Sequence, residues 1–202
     1  MIGIIDYGMG NLASVSNALY KIKQESCISS DPQILKDCDR LILPGVGAFG
    51  DCMANLQQRH LDAFILDQVS QAKPLLGICL GMQMLFEESE EKGTTKGLGL
   101  LKGNVVMIDD PSVPIPEIGW NDLIWNHGSA LAKELPEKTY VYYVHSYYAK
   151  AHDEDLLAYS MYGNVRVAGI VQQKHVMGTQ FHPEKSGRDG LRILKYFAEE
   201  FQ

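Results

Sequence analysis

A cysteine on a predicted sharp bend is the residue of this sequence best placed to act as a nucleophile. Cys79 lies between two glycines in the stretch 77–83, GICLGMQ, after an apolar run and before a segment of helical pattern. Glycines permit a tight turn, and a nucleophile between a strand and a helix forms an elbow, here with sulfur in place of oxygen. The unpaired N–H groups of a helix start favour a thiolate and can stabilise an oxyanion. A purely structural cysteine in a turn is the alternative.

A histidine and a glutamate two positions apart supply a second candidate group. His182 and Glu184 occur in the stretch GTQFHPEKSG. Pro183 disfavours the α conformation of His182, and side chains at i and i+2 share a face in an extended chain. A carboxylate beside an imidazole can orient it and stabilise its charged form, so with Cys79 the pair predicts acyl transfer. The alternatives are a surface ion pair or an incomplete metal site. No third ligand has suitable spacing, so no metal is expected.

A glycine-rich stretch at 45–50, GVGAFG, matches the dinucleotide fingerprint G-x-G-x-x-G. It follows the third strand-like segment instead of the first, and Pro44 interrupts the turn. The next strand, PLLGIC, supplies no acidic residue for a ribose. We therefore interpret the stretch as a loop whose backbone N–H groups point at a reacting carbonyl, and we expect no cofactor.

The elements that must position these residues follow from hydrophobic periodicity. Strand and helix patterns alternate four times up to about residue 97, which favours a parallel sheet covered on both faces. Within this part, 50–71 is predicted as one long helix and 80–91 as another. After about residue 97, short alternating segments such as YVYYVHSYYAK and HVMGTQFH predict antiparallel strands added to that sheet. An amphipathic helix closes the chain, and one domain over 1–202 is expected.

Composition restricts the class of protein further. The 202 residues are 46% hydrophobic and 21% charged, with a net charge of −7, so binding to nucleic acid or anionic lipid through a basic face is not expected. The four cysteines show neither a C-x-x-C pair nor zinc-site spacing. The N-terminal stretch MIGIIDYGMG has no basic region before its short apolar run, and a cytoplasmic location is predicted.

Taken together, these stretches resemble the class I glutamine amidotransferases, and among them the glutaminase subunits of imidazole glycerol phosphate synthases from histidine biosynthesis. GICLGMQ and FHPE carry the superfamily resemblance, and DYGMGN, PGVGAF, GWN and VHSYY narrow it. The resemblance covers nearly the whole chain. It implies a three-layer α/β sandwich with a central, mostly parallel sheet and added antiparallel strands. It also implies glutamine as substrate and a heterodimer with a (β/α)₈-barrel cyclase, which uses the ammonia to make imidazole glycerol phosphate and an aminoimidazole nucleotide (AICAR).

The resemblance also implies the catalytic roles of matching residues. Cys79 attacks the side-chain amide of glutamine, His182 moves protons, and Glu184 orients His182. Backbone N–H groups of Leu80 and of the loop at Val46 and Gly47 form the oxyanion hole.

Further implied residues contact the substrate or the partner. Gln83 and Glu91 bind glutamine, Glu91 at the α-amino group, and backbone groups of Ser146 and Tyr147 hold its carboxylate. Asn11 and Lys185 lie near the partner. From the residues alone, Glu91 is equally a solvated charge, Ser146 and Tyr147 are strand residues, and Asn11 and Lys185 are surface polar groups.

One stretch departs from the family pattern. The family often has His and then Met or a similar apolar residue before GWN, whereas this chain reads PEIGWN, with Glu117 and Ile118. Three other functions stay open at this point. These are the same glutaminase chemistry serving another synthase, such as one of a surface-sugar pathway, a stand-alone Cys–His hydrolase, and a non-catalytic thiol sensor.

Overall fold

The computed structural model describes residues 1–202 as a mixed α/β structure. Its strands are β1 (Ile2–Ile5), β2 (Ser26–Ser29), β3 (Arg40–Gly45), β4 (Leu75–Cys79), β5 (Glu88–Ser89), β6 (Thr95–Lys96), β7 (Gly103–Met107), β8 (Glu117–Trp125), β9 (Thr139–His145), β10 (Tyr147–Ala151), β11 (Leu156–Tyr162), β12 (Val165–Gln173) and β13 (Val176–Thr179). Its helices are α1 (Leu12–Lys21), α2 (Pro32–Lys36), α3 (Phe49–Gln58), α4 (Leu61–Ser70), α5 (Leu80–Gln83), α6 (Ala130–Lys133) and α7 (Gly187–Glu199), with a 3₁₀ turn at Pro183–Lys185. None of the helices has the length and apolar character needed to cross a bilayer.

A nine-stranded sheet organises the chain in the order β2-β1-β3-β4-β13-β12-β11-β8-β9. The first five strands of this order pair in parallel, and the remaining pairs are antiparallel. The parallel strands expected from the first half of the sequence are therefore confirmed. Parallel pairing sends the carboxyl ends of β4 and β13 to the same edge, which brings Cys79 near the residues that follow Thr179.

The antiparallel addition is confirmed in outline and wrong in two details. Strand β13, from the stretch HVMGTQFH, pairs in parallel with β4 on one side and antiparallel with β12 on the other. The stretch YVYYVHSYYAK is two strands, because the chain leaves the large sheet at Ser146. Its second part, β10, joins a small sheet of order β10-β7-β5-β6. Ser146 thus lies at the junction between the two sheets.

Apolar side chains on the two faces of the large sheet form separate cores. Ile5, Leu41 and Leu43 face a cluster that includes buried residues of α2 to α5 and of the small sheet. Ile4 and Ile42 face the opposite cluster, which includes buried residues of α1, α6 and α7. This alternation along β1 and β3 produces the three layers that the resemblance implied.

Both long helices expected in the first half are shorter than the periodicity predicts. Helix α3 ends before Arg59, and His60 adopts a left-handed conformation with a φ of 56° before α4 begins. Buried Leu56 and Leu61 are five positions apart, a spacing that does not continue one apolar stripe, so the break turns α4 back onto the core.

Helix α5 comprises only Leu80–Gln83. The carbonyls of Met84 and Phe86 accept hydrogen bonds from the N–H groups of Leu98 and Gly99, so a tertiary contact replaces the expected helical ladder. A helix of this length has only a small dipole. The partial positive charge next to Cys79 therefore comes mainly from the unpaired N–H groups at the start of α5.

Gly81 allows the closest backbone approach around the bend. A Cβ atom at this position would lie 1.8 Å from the carbonyl oxygen of Leu43. Because backbone cannot move aside as a side chain end does, Gly81→Ala should destabilise the protein by about 3 kcal/mol or prevent folding. Gly128→Ala is the matched control, since nothing lies within 4 Å of its Cβ. Urea unfolding of both variants measures this difference, and equal midpoints would contradict the close packing.

Candidate active site

Cys79 is the last residue of β4 and directly precedes α5. Its backbone adopts φ 55° and ψ −113°, a conformation that side chains with a Cβ rarely adopt. The residue is 7% exposed. Such strain is characteristic of functional positions, where the surrounding structure holds a residue against its preference. The elbow predicted from GICLG is therefore present.

The strain at Cys79 has a measurable effect on stability. Cys79→Gly and Cys79→Ala both remove the sulfur, but only alanine keeps a Cβ at this φ. We expect Cys79→Gly to be more stable than Cys79→Ala by about 1 kcal/mol, after allowance for the larger entropy of unfolded glycine. At Cys52, inside α3, the order should reverse, because glycine is the poorer helix former. Denaturant unfolding of the four variants tests both orders, and the same order at both positions would refute strain at Cys79.

His182 and Glu184 form the predicted pair. His182 Nδ1 lies 2.8 Å from Glu184 Oε1, and both side chains are almost completely buried. The other oxygen of Glu184, Oε2, is buried without a partner. The expected backbone was wrong in part: His182 is extended, but Glu184 lies in the 3₁₀ turn that starts at Pro183. The two side chains therefore meet across a turn and not along a strand.

Neighbouring charges determine the protonation of His182. Burial alone would lower the pKa of His182, but hydrogen bonding and charge interactions with Cys79 and Glu184 outweigh it and raise this pKa from 6.5 to about 10. The imidazole is therefore protonated at neutral pH in the resting protein. An imidazolium beside the sulfur is the charge arrangement that supports a thiolate nucleophile.

The raised pKa of His182 predicts a pH-dependent contribution to stability. Since the folded-state pKa exceeds the unfolded one, the contribution is fully present below pH 6.5 and is lost as the pH rises through about 10. The difference in unfolding free energy between wild type and His182→Gln should therefore shrink between these two values. Chemical denaturation across this range measures the difference, and a difference that grows with pH would contradict the assignment.

A cavity of about 370 Å³ opens beside Cys79. The residues that line it are Val46, Gly47, Cys79, Leu80, Gln83, Glu91, Pro116, Val144, His145, Ser146, Tyr147 and His182. It brings together the candidate nucleophile, the imidazole, and every residue expected at the oxyanion hole and around glutamine. Glu184 lies behind His182 and does not line it.

Asn11 and Lys185, expected near a partner, lie outside this cavity. Asn11 caps helix α1, its side-chain oxygen accepting from Ser14 N at 3.4 Å. Lys185 and Glu184 line a neighbouring depression together with residues of α1 and α7. Glu184 thus connects the wall behind His182 to the surface that carries Lys185.

Three residues that line this cavity, Val46, Gly47 and Leu80, carry backbone N–H groups that are candidate donors to a ligand. The N–H groups of Val46 and Gly47 donate no hydrogen bond to other residues of the chain. Gly47 has a φ of 103°, which glycine adopts without the penalty that other residues meet. Leu80 is the first residue of α5, so its N–H group has no intrahelical acceptor. Free backbone N–H groups of this kind are suited to bind a developing oxyanion.

Gln83 and Glu91 each use one polar group of the side chain for hydrogen bonds within the protein. Gln83 Nε2 donates to the carbonyl of Tyr147 at 2.8 Å and to Gln180 Oε1 at 2.9 Å. Glu91 Oε2 accepts from the N–H group of Phe49, the first residue of α3, at 2.7 Å. Their unoccupied oxygens remain available as acceptors for an α-amino group.

Gln180, Glu117 and His145 are site residues that sequence reasoning missed. Gln180 is fully buried, and its Nε2 lies 3.7 Å from Cys79 Sγ while its Oε1 accepts from Gln83. The sequence did contain a signal for Gln180, which lies two residues before His182 at the end of an apolar strand. A polar side chain buried at such a place needs hydrogen-bond partners, and the nearby site residues could supply them. Glu117 was noted only as a departure, and nothing local in the sequence pairs it with His145.

The fold and the grouping of Cys79, His182 and Glu184 are typical of amide-cleaving proteins, and comparison with known proteins gives the family. The model of the class I glutamine amidotransferases matches residues 3–201. The chain therefore belongs to this family.

Curated relatives give a narrower similarity. The chain is 51% identical to the imidazole glycerol phosphate synthase subunit HisH of Geobacillus sp. (strain WCH70), over 98% of this chain and 96% of that one. It is also 51% identical to the HisH subunit of Bacillus subtilis (strain 168), with the same coverage.

Solved structures confirm the fold at low identity. A glutamine amidotransferase crystal structure aligns with a TM-score of 0.76 and 20% identity over 97% of this chain and 96% of that chain. The structure of PurLQS from Thermotoga maritima aligns with a TM-score of 0.74 and 21% identity over the same shares. The three-layer sandwich expected from the resemblance is thus the fold of this family.

Proposed function

We propose that this chain is the glutaminase subunit of an imidazole glycerol phosphate synthase and that Cys79, His182 and Glu184 carry its hydrolysis of glutamine. The observation that carries the proposal is the strained Cys79 on a cavity that it shares with His182, whose imidazole is buried against Glu184. The assignment to an imidazole glycerol phosphate synthase is based on the similarity to the HisH subunits named above. Glutamine is proposed as the substrate because the family is named for it.

The reaction follows from these positions. The Cys79 thiolate attacks the amide carbon of the glutamine side chain, and the oxyanion binds the N–H groups of Leu80 and the Val46–Gly47 loop. The His182 imidazolium gives its proton to the departing nitrogen, which leaves as ammonia, and a γ-glutamyl thioester forms on Cys79. His182, now neutral, takes a proton from water as that water attacks the thioester. Glutamate leaves, its remaining proton passes to solvent, and the Cys79 thiolate and the His182 imidazolium are restored.

Glu184 acts through His182. Its carboxylate accepts from Nδ1, which fixes the ring with Nε2 toward the cavity and stabilises the imidazolium. Gln83, Glu91 and the backbone of Ser146 and Tyr147 hold the amino-acid end of glutamine in this proposal. A non-catalytic thiol sensor would not require this arrangement of proton carrier, free backbone donors and amide-sized cavity.

The partner in this proposal is a (β/α)₈-barrel cyclase that receives the ammonia directly. Ammonia released to solvent at neutral pH is mostly protonated to unreactive ammonium, so a docked acceptor site is required for efficient transfer. Asn11 and Lys185 belong to the proposed docking face. The neighbouring depression that Lys185 shares with Glu184 adjoins the catalytic pair, which supports a docking face on this side of the active site.

The test of the proposal is a competition between two nitrogen sources. The reconstituted synthase receives glutamine labelled with ¹⁵N at the side-chain amide together with excess unlabelled ammonium. The proposal predicts that the imidazole product carries mainly ¹⁵N. Product nitrogen that follows the ammonium pool would refute direct transfer. Failure of the chain to bind any barrel cyclase would refute the proposed partner.

A further inference from the structure

A second buried glutamate–histidine pair, apart from the catalytic one, reaches the cavity through its histidine. Glu117 and His145 are 3% and 7% exposed. Glu117 Oε2 lies 3.1 Å from His145 Nε2, and the two residues face each other in the register of β8 and β9. His145 is the last residue of β9, directly before the sheet junction at Ser146. The mechanism described above makes no use of this pair.

Both ring nitrogens of His145 are engaged. Nδ1 lies 2.9 Å from the carbonyl oxygen of Tyr147, which can only accept, so Nδ1 carries a hydrogen. Nε2 faces the carboxylate of Glu117, whose other oxygen accepts from Asn121 Nδ2 at 2.9 Å. Glu117 therefore fixes the orientation of the imidazole, and the imidazole fixes the Tyr147 carbonyl.

The Tyr147 carbonyl links this pair to the rest of the site. It also accepts from Gln83 Nε2, which bonds Gln180, whose amide nitrogen reaches Cys79 Sγ. The preceding carbonyl, of Ser146, accepts from Ile108 N at 2.9 Å. Both carbonyls of the segment are thus held, while the N–H group of Ser146 donates to no other residue of the protein. A fixed segment with a free donor on a cavity wall is suited to bind a carboxylate.

We propose that Glu117 and His145 are positioning residues that hold the Ser146–Tyr147 segment and Gln83 in the geometry that binds the α-carboxylate end of glutamine. This inference rests on the proposed glutaminase function. The pair acts on substrate affinity and not on the bond-breaking step, since neither side chain hydrogen-bonds Cys79, His182 or Glu184.

The test compares two substitutions of Glu117 in the reconstituted synthase. Glu117→Leu leaves His145 Nε2 without a partner, and we expect the KM for glutamine to rise roughly tenfold, the equivalent of about one hydrogen bond, with kcat within about twofold of wild type. Glu117→Gln can accept from Asn121 and donate to Nε2 while Nδ1–H still bonds Tyr147. It should therefore restore a KM close to that of wild type.

Asp155→Leu is the matched control for lost stability. Asp155 is also a buried carboxylate with a side-chain partner, but that partner, Gln173, does not line the cavity, whereas His145 does. Its loss should lower the unfolding midpoint without changing KM.

A fall in kcat at unchanged KM for Glu117→Leu would overturn the proposal, as would an unchanged KM. If Glu117→Leu does not fold, a KM for Glu117→Gln raised as much as tenfold would overturn it instead. Wild-type synthase that hydrolyses no glutamine would refute the proposed function itself, a result distinct from any of these.

Discussion

Replacing Cys79 by alanine or serine should lower glutamine hydrolysis by roughly four orders of magnitude or more, because no thioester can form without the sulfur. Serine keeps a hydroxyl of similar size, but a hydroxyl is much harder to deprotonate than a thiol and is therefore a far weaker nucleophile at this position. Both variants should unfold cooperatively, since each replaces one side chain on the cavity wall by one that is no larger. Steady-state glutamate release by the reconstituted synthase measures the loss.

Cys52→Ala is the control for this experiment. Cys52 is also buried, and its Sγ donates to the carbonyl of Val46 at 3.4 Å, so it borders the oxyanion loop without lining the cavity. The control should retain hydrolysis within about tenfold of wild type, because a single weak contact is lost. Activity of Cys79→Ala comparable to that of Cys52→Ala would exclude Cys79 as the nucleophile.

A ligand-loaded cyclase should raise the glutaminase rate of this chain by roughly a hundred- to a thousandfold. One oxyanion donor is worth a factor of this size in turnover, and the loop at Val46 and Gly47 can supply or withhold one. Its two N–H groups have no partner in the protein, and glycine at φ 103° lets the peptide unit rotate at low steric cost. The isolated chain should therefore be nearly inactive, which prevents wasteful glutamine hydrolysis.

Glutaminase rates of the chain alone, with the cyclase, and with cyclase and its nucleotide ligand measure this stimulation. Gly47→Ala should reduce the stimulated rate, since alanine resists the required φ. Gly50→Ala is the control because its Cβ would meet a single ordinary contact, at 3.6 Å from Thr95 Oγ1. High turnover by the isolated chain, unchanged by the partner and its ligand, would exclude control of the rate by the loop at Val46 and Gly47.

Local patterns were sufficient to predict the residues that the structure brings together around Cys79. The two glycines around Cys79 predicted the bend, and the proline after His182 predicted its extended backbone. The contact between His182 and Glu184 was predicted correctly, although the extended backbone expected for Glu184 was wrong. The 3₁₀ turn at Glu184 also brings these two side chains together. Such signals lie within a few residues and do not depend on tertiary structure.

The remaining features depend on contacts distant in sequence. The contact of Glu117 with His145 spans 28 residues and exists only in the register of β8 and β9. Helix α5 is short because N–H groups of residues near Leu98 donate to carbonyls that would otherwise accept from the next turn of the helix. Helix α3 ends where the spacing of its apolar residues changes. Periodicity identifies an apolar face, but tertiary hydrogen bonds determine where an element ends.

The most direct test of the central claim is to locate the covalent adduct of a glutamine-analogue electrophile in the reconstituted synthase. Peptide mass spectrometry should find one adduct, on Cys79, and excess glutamine should slow its formation, because substrate and analogue occupy the same cavity. An adduct on Cys27, Cys38 or Cys52, or labelling of Cys79 that glutamine does not slow, would contradict Cys79 as the nucleophile of a glutaminase.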